Sequence, residues 1–163
     1  MTDTQTDFER FADTLAGRER AVFLGSVPFF LALVGGADGE YDLPEMDASA
    51  EVLLATVDTL GPAFRRSPEA EEAFAAMRTW VHEPDKLEFH GRLMTLRDVL
   101  QTMPGELADA YRAFVRDACL RVATASGGWI RRVSDEERAV LRRVVVALEY
   151  PSDDPLARLL AEG

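Results

Sequence analysis

Apolar residues recur along most of this chain at spacings of three and four, punctuated by glycine, proline and acidic cap residues. That period marks helices with one buried face. Phe8, Phe11 and Leu15 open the series, and Gly17 breaks it. The next helix is predicted from Glu19 to about Val34, with Phe23, Val27, Phe30, Leu31 and Val34 on its inner stripe. Pro28 lies inside it and predicts a kink, because proline lacks the donor its turn requires. Gly35 and Gly36 close it.

Asp42 and Glu45 then stand at capping-box spacing, with Pro44 in the first turn. Met46, Ala50, Leu53, Leu54, Val57 and Leu60 are predicted as the inner face of that helix, which ends at Gly61-Pro62. Ser67-Pro68 opens a helix whose inner positions are Phe74, Met77 and Val81. Asp85 and Glu88 precede Phe89, Leu93, Leu96 and Leu100, with Met94 beside them. Pro104 begins a long segment in which Leu107, Tyr111, Phe114, Val115, Ala118 and Val122 repeat, until Ser126-Gly127-Gly128 stops it. Ser134 and Glu137 form a further capping box before Val140, Leu141, Val144, Val145 and Leu148, and Pro151 ends that helix. No run alternates strictly between apolar and polar residues with hairpin turns between. The pattern therefore predicts an all-α, compact bundle of about seven helices. A single domain over residues 7–150 follows, with a frayed, disordered tail at 1–6 and a short terminal helix or tail at 151–163.

Composition supports a packed domain: 163 residues, 47% hydrophobic and 29% charged. The single cysteine, Cys119, excludes an intrachain disulfide and a cysteine-based zinc cluster. Charge changes the picture more. The net is -11, and residues 1–60 carry 12 acids against 3 bases. A nucleic-acid partner is excluded on this footing, since phosphates require a positive footprint. The nearest basic patch, Arg131, Arg132, Arg138, Arg142 and Arg143, is interrupted by acids. The first residues lack the basic region of a signal peptide, and the longest apolar stretch, Ala21 to Ala37, contains three glycines and a proline. A cytoplasmic protein with no transmembrane segment is the expectation.

Two segments share a plan. An apolar helix runs into Ala37-Asp38-Gly39-Glu40-Tyr41 and then Asp42-Leu43-Pro44-Glu45; another runs into Ser126-Gly127-Gly128-Trp129-Ile130 and then Ser134-Asp135-Glu136-Glu137. The first linker offers Asp38, Glu40, Asp42 and Glu45. Hard divalent ions such as Ca²⁺, Mg²⁺ or Mn²⁺ need several oxygen ligands on a tightly turned loop. The spacing matches the second half of an EF-hand loop, with Gly39, Asp42 and Glu45 in register. The first half would place Val34 and Gly36 at ligand positions, so an EF-hand is excluded. Two readings stay open: a different oxygen-ligand site, or Asp42 and Glu45 as helix caps with Asp38 and Glu40 facing solvent. In the second linker Gly127 replaces the acid and Arg131-Arg132 intrude, so that copy reads as structural.

The sequence from Ala37 to Glu45 resembles the TerB-like family, named for tellurite-resistance proteins. The Gly128 and Ser134–Glu137 segment resembles that family's second half. The resemblance implies a compact all-helical domain with related halves. It further implies a divalent-metal site at Asp38, Asp42 and Glu45, with Glu40 as an outer ligand. It also implies a role in stress-response complexes that assemble with a protein partner, including peripheral ones at a membrane.

The remaining chemistry is sparse. His82 and His90 lack the spacing of a helical zinc peptidase and of a di-iron bundle. Cys119 lies in an apolar helical run and reads as a small core residue. The serines lack a nucleophile-elbow context, and the Gly35–Gly39 stretch lacks the Lys-Ser/Thr of a phosphate-binding loop. Trp80 and Trp129 read as core anchors. Trp129, after a Gly-Gly turn and beside Arg131 and Arg132, is also a candidate interaction site. Three function classes follow: a non-enzymatic helical module that binds a divalent cation and docks a partner, a metal-dependent hydrolase built on clustered carboxylates, and a purely structural or partner-binding bundle.

Overall fold

A computed structural model describes residues 4–37, 43–125 and 134–161. Among them the chain forms helices and no strand. The helices are α1 (Asp7–Ala12), α2 (Gly17–Leu24), α3 (Ser26–Gly35), α4 (Leu43–Thr59), α5 (Ala63–Arg66), α6 (Pro68–Trp80), α7 (Lys86–Thr102), α8 (Gly105–Ala125), α9 (Asp135–Ala147) and α10 (Pro155–Ala161). That is ten described helices where the sequence pattern predicts about seven. The additions are one division, one single turn and the terminal helix.

The division falls at Gly25, not at Pro28. A Cβ at Gly25 would lie 2.7 Å from the Cβ of Ala73 on α6 and 2.9 Å from the Ala21 carbonyl, so the break sits where only glycine fits against α6. Pro28 then becomes the third residue of α3. The first turn of a helix has no internal acceptors for its N–H groups, so proline costs nothing there. The expected kink is thus replaced by a fresh helix start.

α3 is the axis of the bundle. All ten of its residues are buried, and α4, α6, α8 and α9 all pack against it. Two aromatic clusters flank it. Phe23 stacks edge-on with Phe11 and Phe64 and lies against Tyr111, at centroid distances of 5.0 to 5.7 Å. Phe29 meets Phe30, Trp80 and Phe89, and the Arg92 guanidinium sits 4.6 Å over the Trp80 ring. Trp80 is therefore a core anchor.

Helix ends follow the cap residues. Ser67 caps α6 with Pro68 at its first position, and Ser134 and Glu137 form the reciprocal box on α9. Asp85 accepts from the Glu88 N–H, but the Glu88 carboxylate turns outward to Arg92 at 2.9 Å. A further box, Thr6–Glu9, starts α1. It also ties the start of α1 down, so that Thr6 is held and not frayed as expected: Thr6 Oγ1 donates to the Leu60 carbonyl at 2.6 Å, and Glu9 Oε2 accepts from the Ala63 N–H at 3.0 Å. Gly61 makes room for this carboxylate. Its φ is +114°, and a Cβ there would fall 2.4 Å from Glu9. At the other end, α10 sends Leu156 and Leu160 into the same core. Arg112 Nε donates to the Leu148 carbonyl, and the Tyr150 hydroxyl donates to the Arg112 carbonyl, locking the end of α9 to α8.

α4 departs most from its sequence pattern. Its buried residues are Glu45, Ala48, Ser49, Val52 and Thr56. Leu60, just beyond it, is buried, and Leu53 and Val57 are half-buried. Met46, Ala50 and Leu54, predicted to face inward, are exposed together with Leu43. The helix turns its small and polar side to α8 and α3 and its larger apolar side outward. On α6 the same preference brings Ala70 and Ala73 inside and leaves Phe74 and Met77 half-buried.

Candidate functional site

The acidic segment 38–42 falls in sequence between α3 and α4. α3 ends at Gly35 with Gly36 as its cap, pressed against α6: a Cβ at Gly36 would come within 3.0 Å of Val81. The last carbonyls of α3 carry the partial negative charge of a helix C-terminus. Asp38, Glu40 and Asp42 lie outside the described residues, as do Trp129, Arg131 and Arg132. The capping role proposed for Asp42 lies outside them too.

Glu45 is described, and its position is unusual for a carboxylate. It is the third residue of α4 and is only 1% exposed. Charged side chains are rarely so buried, because removing an ionised carboxylate from water costs several kcal/mol unless it is compensated. The second half repeats the arrangement. Glu137 is the third residue of α9, is 5% exposed, and accepts from the Ser134 N–H at 3.2 Å. Both helices rest on α3. The two linkers thus end in equivalent buried glutamates, each at the start of the helix that follows. The sequence shows both residues at cap spacing but does not show that their side chains are buried.

Among the described residues, no group of three or more His, Cys, Asp or Glu is assembled to hold a metal ion. Cys119 is fully buried on α8, and burial pushes its thiol up to about 12, so it carries no thiolate near neutral pH. Burial likewise pushes the phenols of Tyr111 and Tyr150 well above their ordinary range. His82 is exposed in the turn after α6, and His90 is exposed on α7. No described helix is long and apolar enough to cross a membrane.

Two surface features escape the sequence reading. One is the outward apolar face of α4. The other is a groove of about 380 Å³ between α7 and α9, floored by Leu93, Met94 and Ala147 and edged by His90, Arg142 and Arg143. The spacing of Leu43, Met46, Ala50 and Leu54 would have found the first, had the alternative stripe Glu45, Ser49, Val52 and Thr56 been weighed as the buried one. The second needs two helices distant in sequence to be brought side by side.

No family model matches the chain, and no curated protein or solved structure matches it.

Proposed function

We propose that the chain is a TerB-like, non-enzymatic helical module that binds a divalent cation at the turn between α3 and α4 and docks a protein partner. The observation that carries this reading is the buried Glu45 carboxylate at the start of α4. It directly follows the stretch that supplies Asp38, Glu40 and Asp42. Carboxylates and backbone carbonyls are the ligands that Ca²⁺, Mg²⁺ and Mn²⁺ prefer, and the α3 C-terminus adds carbonyl oxygens of the same character. The pairing of Glu45 with Glu137 at equivalent positions supports the two-half architecture that the family resemblance implies. The acids of the first linker then distinguish a working half from a structural one. A place in a stress response, tellurite resistance among them, belongs to the same reading.

An amide-shift titration with Ca²⁺, Mg²⁺ and Mn²⁺ tests it, Mn²⁺ being read through line broadening. Saturable changes centred on Gly39 to Glu45, lost in the Asp38→Asn/Asp42→Asn double variant, are the expected result. No response at several millimolar cation, or a response that survives the double variant, overturns the cation site. A metal-dependent hydrolase is separated by the same preparations: turnover of phosphoesters with Mn²⁺ would replace the non-enzymatic reading.

A further inference from the structure

The outward face of α4 has the composition of an interface and the charge layout of one that meets itself. Leu43 is 75% exposed, Met46 46% and Leu54 68%, and Ala50 lies between them. Spaced by three, four and four, they form one stripe, about 17 Å long at 1.5 Å per residue. At about 100° per residue, Asp47, Glu51 and Asp58 fall together along one side of the stripe. All three are exposed, and Glu51 already reaches Arg121 of α8 at 3.6 Å. Leu53 falls on the opposite side. There it opens onto a surface hollow of about 530 Å³ shared with Phe74 and Ala75, whose charged members are Arg65, Arg78 and Glu71. The apolar stripe therefore has an acidic border toward α8 and a border richer in arginine toward α6.

We infer that this face of α4 pairs with the same face of a second copy of the chain. A two-fold axis parallel to the two helices sets the acidic border of each copy against the arginine border of the other. An axis that makes the helices antiparallel would set acids against acids, in a chain whose net charge is already -11. The charge layout thus selects the parallel pair. Leu43, Met46, Ala50 and Leu54 form its apolar centre, and Asp47 and Asp58 face Arg65 and Arg78 across its rim. The patch is short, which places the pair among small, reversible interfaces. The inference does not depend on the cation site, since a chain that binds no metal can still pair through α4.

Sedimentation velocity on the full chain from about 1 to about 500 µM, a range that brackets weak association, tests it. The expected result is a monomer–dimer equilibrium that L54E or M46E weakens at least tenfold. Both positions are exposed, so the unfolding midpoint should not move, and that control separates lost pairing from lost folding. The double variant R65E/R78E should weaken the pair, and D47R/D58R should do the same alone. Mixing the two double variants should restore a heterodimer, since both of its rims are then complementary. A chain that stays monomeric throughout the range overturns the proposal and leaves the face to a different protein. So does a dimer indifferent to L54E. Dimers that form without sensitivity to either charge reversal overturn the parallel arrangement.

Discussion

α3 and α4 are consecutive helices on either side of the acidic segment, yet they meet the rest of the protein in opposite ways. α3 is apolar on every side and is buried on every side. α4 is apolar on one side and buries the other, presenting Ala48, Ser49, Val52 and Thr56 to its neighbours. The difference lies in what each helix meets. α4 lies along α8. Between them Val52, Ala55 and Thr59 face Ala110, Ala113 and Ala118 across a hollow of about 390 Å³ that no large side chain fills. A hydrophobic stripe shows that a helix has a special face; the space beside it decides which face is covered.

This contrast sets the order of expected effects. Phe29→Ala on α3 removes a fully buried ring packed against three others and should cost about 3–5 kcal/mol, whereas Leu54→Ala on α4 should cost less than about 0.5 kcal/mol. Urea unfolding of the two variants measures both, and equal losses would mean that Leu54 is covered within the monomer. Gly61→Ala, at the end of α4, should cost about 1–3 kcal/mol. It forces a side chain into a positive-φ turn and onto the Glu9 carboxylate, which then loses its hold on α5. Loss of protection at the Ala63 amide in hydrogen exchange would trace the damage to that contact.

Cys119, buried on α8 near Tyr111 and Tyr150, gives the core a pH signature. Burial raises the folded thiol from its ordinary 9.0 to about 12. The folded chain therefore keeps a proton that the unfolded chain releases. The stabilisation is complete below about pH 9 and is lost as pH rises toward about 12. Tyr111 and Tyr150, also raised by burial, act in the same direction from about pH 10. Thermal unfolding should move downward across that window, and Cys119→Ala should flatten its first part. A small effect should also come from the inner side of α4. Thr56 donates to the Val52 carbonyl of its own helix at 2.7 Å, not to a neighbour. Thr56→Val should therefore change stability by less than about 1 kcal/mol. A larger loss would show that the hydroxyl contributes to the contact with α8.

The helices and their limits were largely legible, because their signals are local. Ser67-Pro68, Asp85, and Ser134 with Glu137 cap where their spacing predicts, and α3 ends at the predicted Gly35-Gly36. The division at Gly25 was not legible, since the close neighbour that requires glycine there, Ala73, is 48 positions away in the chain. Glu9 offers the same lesson. Its place as a first-turn acid is a local fact, but its second bond runs to Ala63 across the fold. At the candidate site, spacing alone picked out Glu45 as a cap partner, and burial gave it a different weight.

By itself the sequence determined that this protein is helical, where most of its helices begin and end, that its first third is strongly acidic, and that Cys119 stands alone. Each of these depends on composition or on residues within a turn or two of one another. Only the tertiary structure decided that α3 is the axis, that Glu45 and Glu137 are buried at matching positions, and that α4 shows its apolar side to solvent. Those outcomes depend on which surfaces of different helices meet, and that is a property of pairs of helices that no single helix's pattern records.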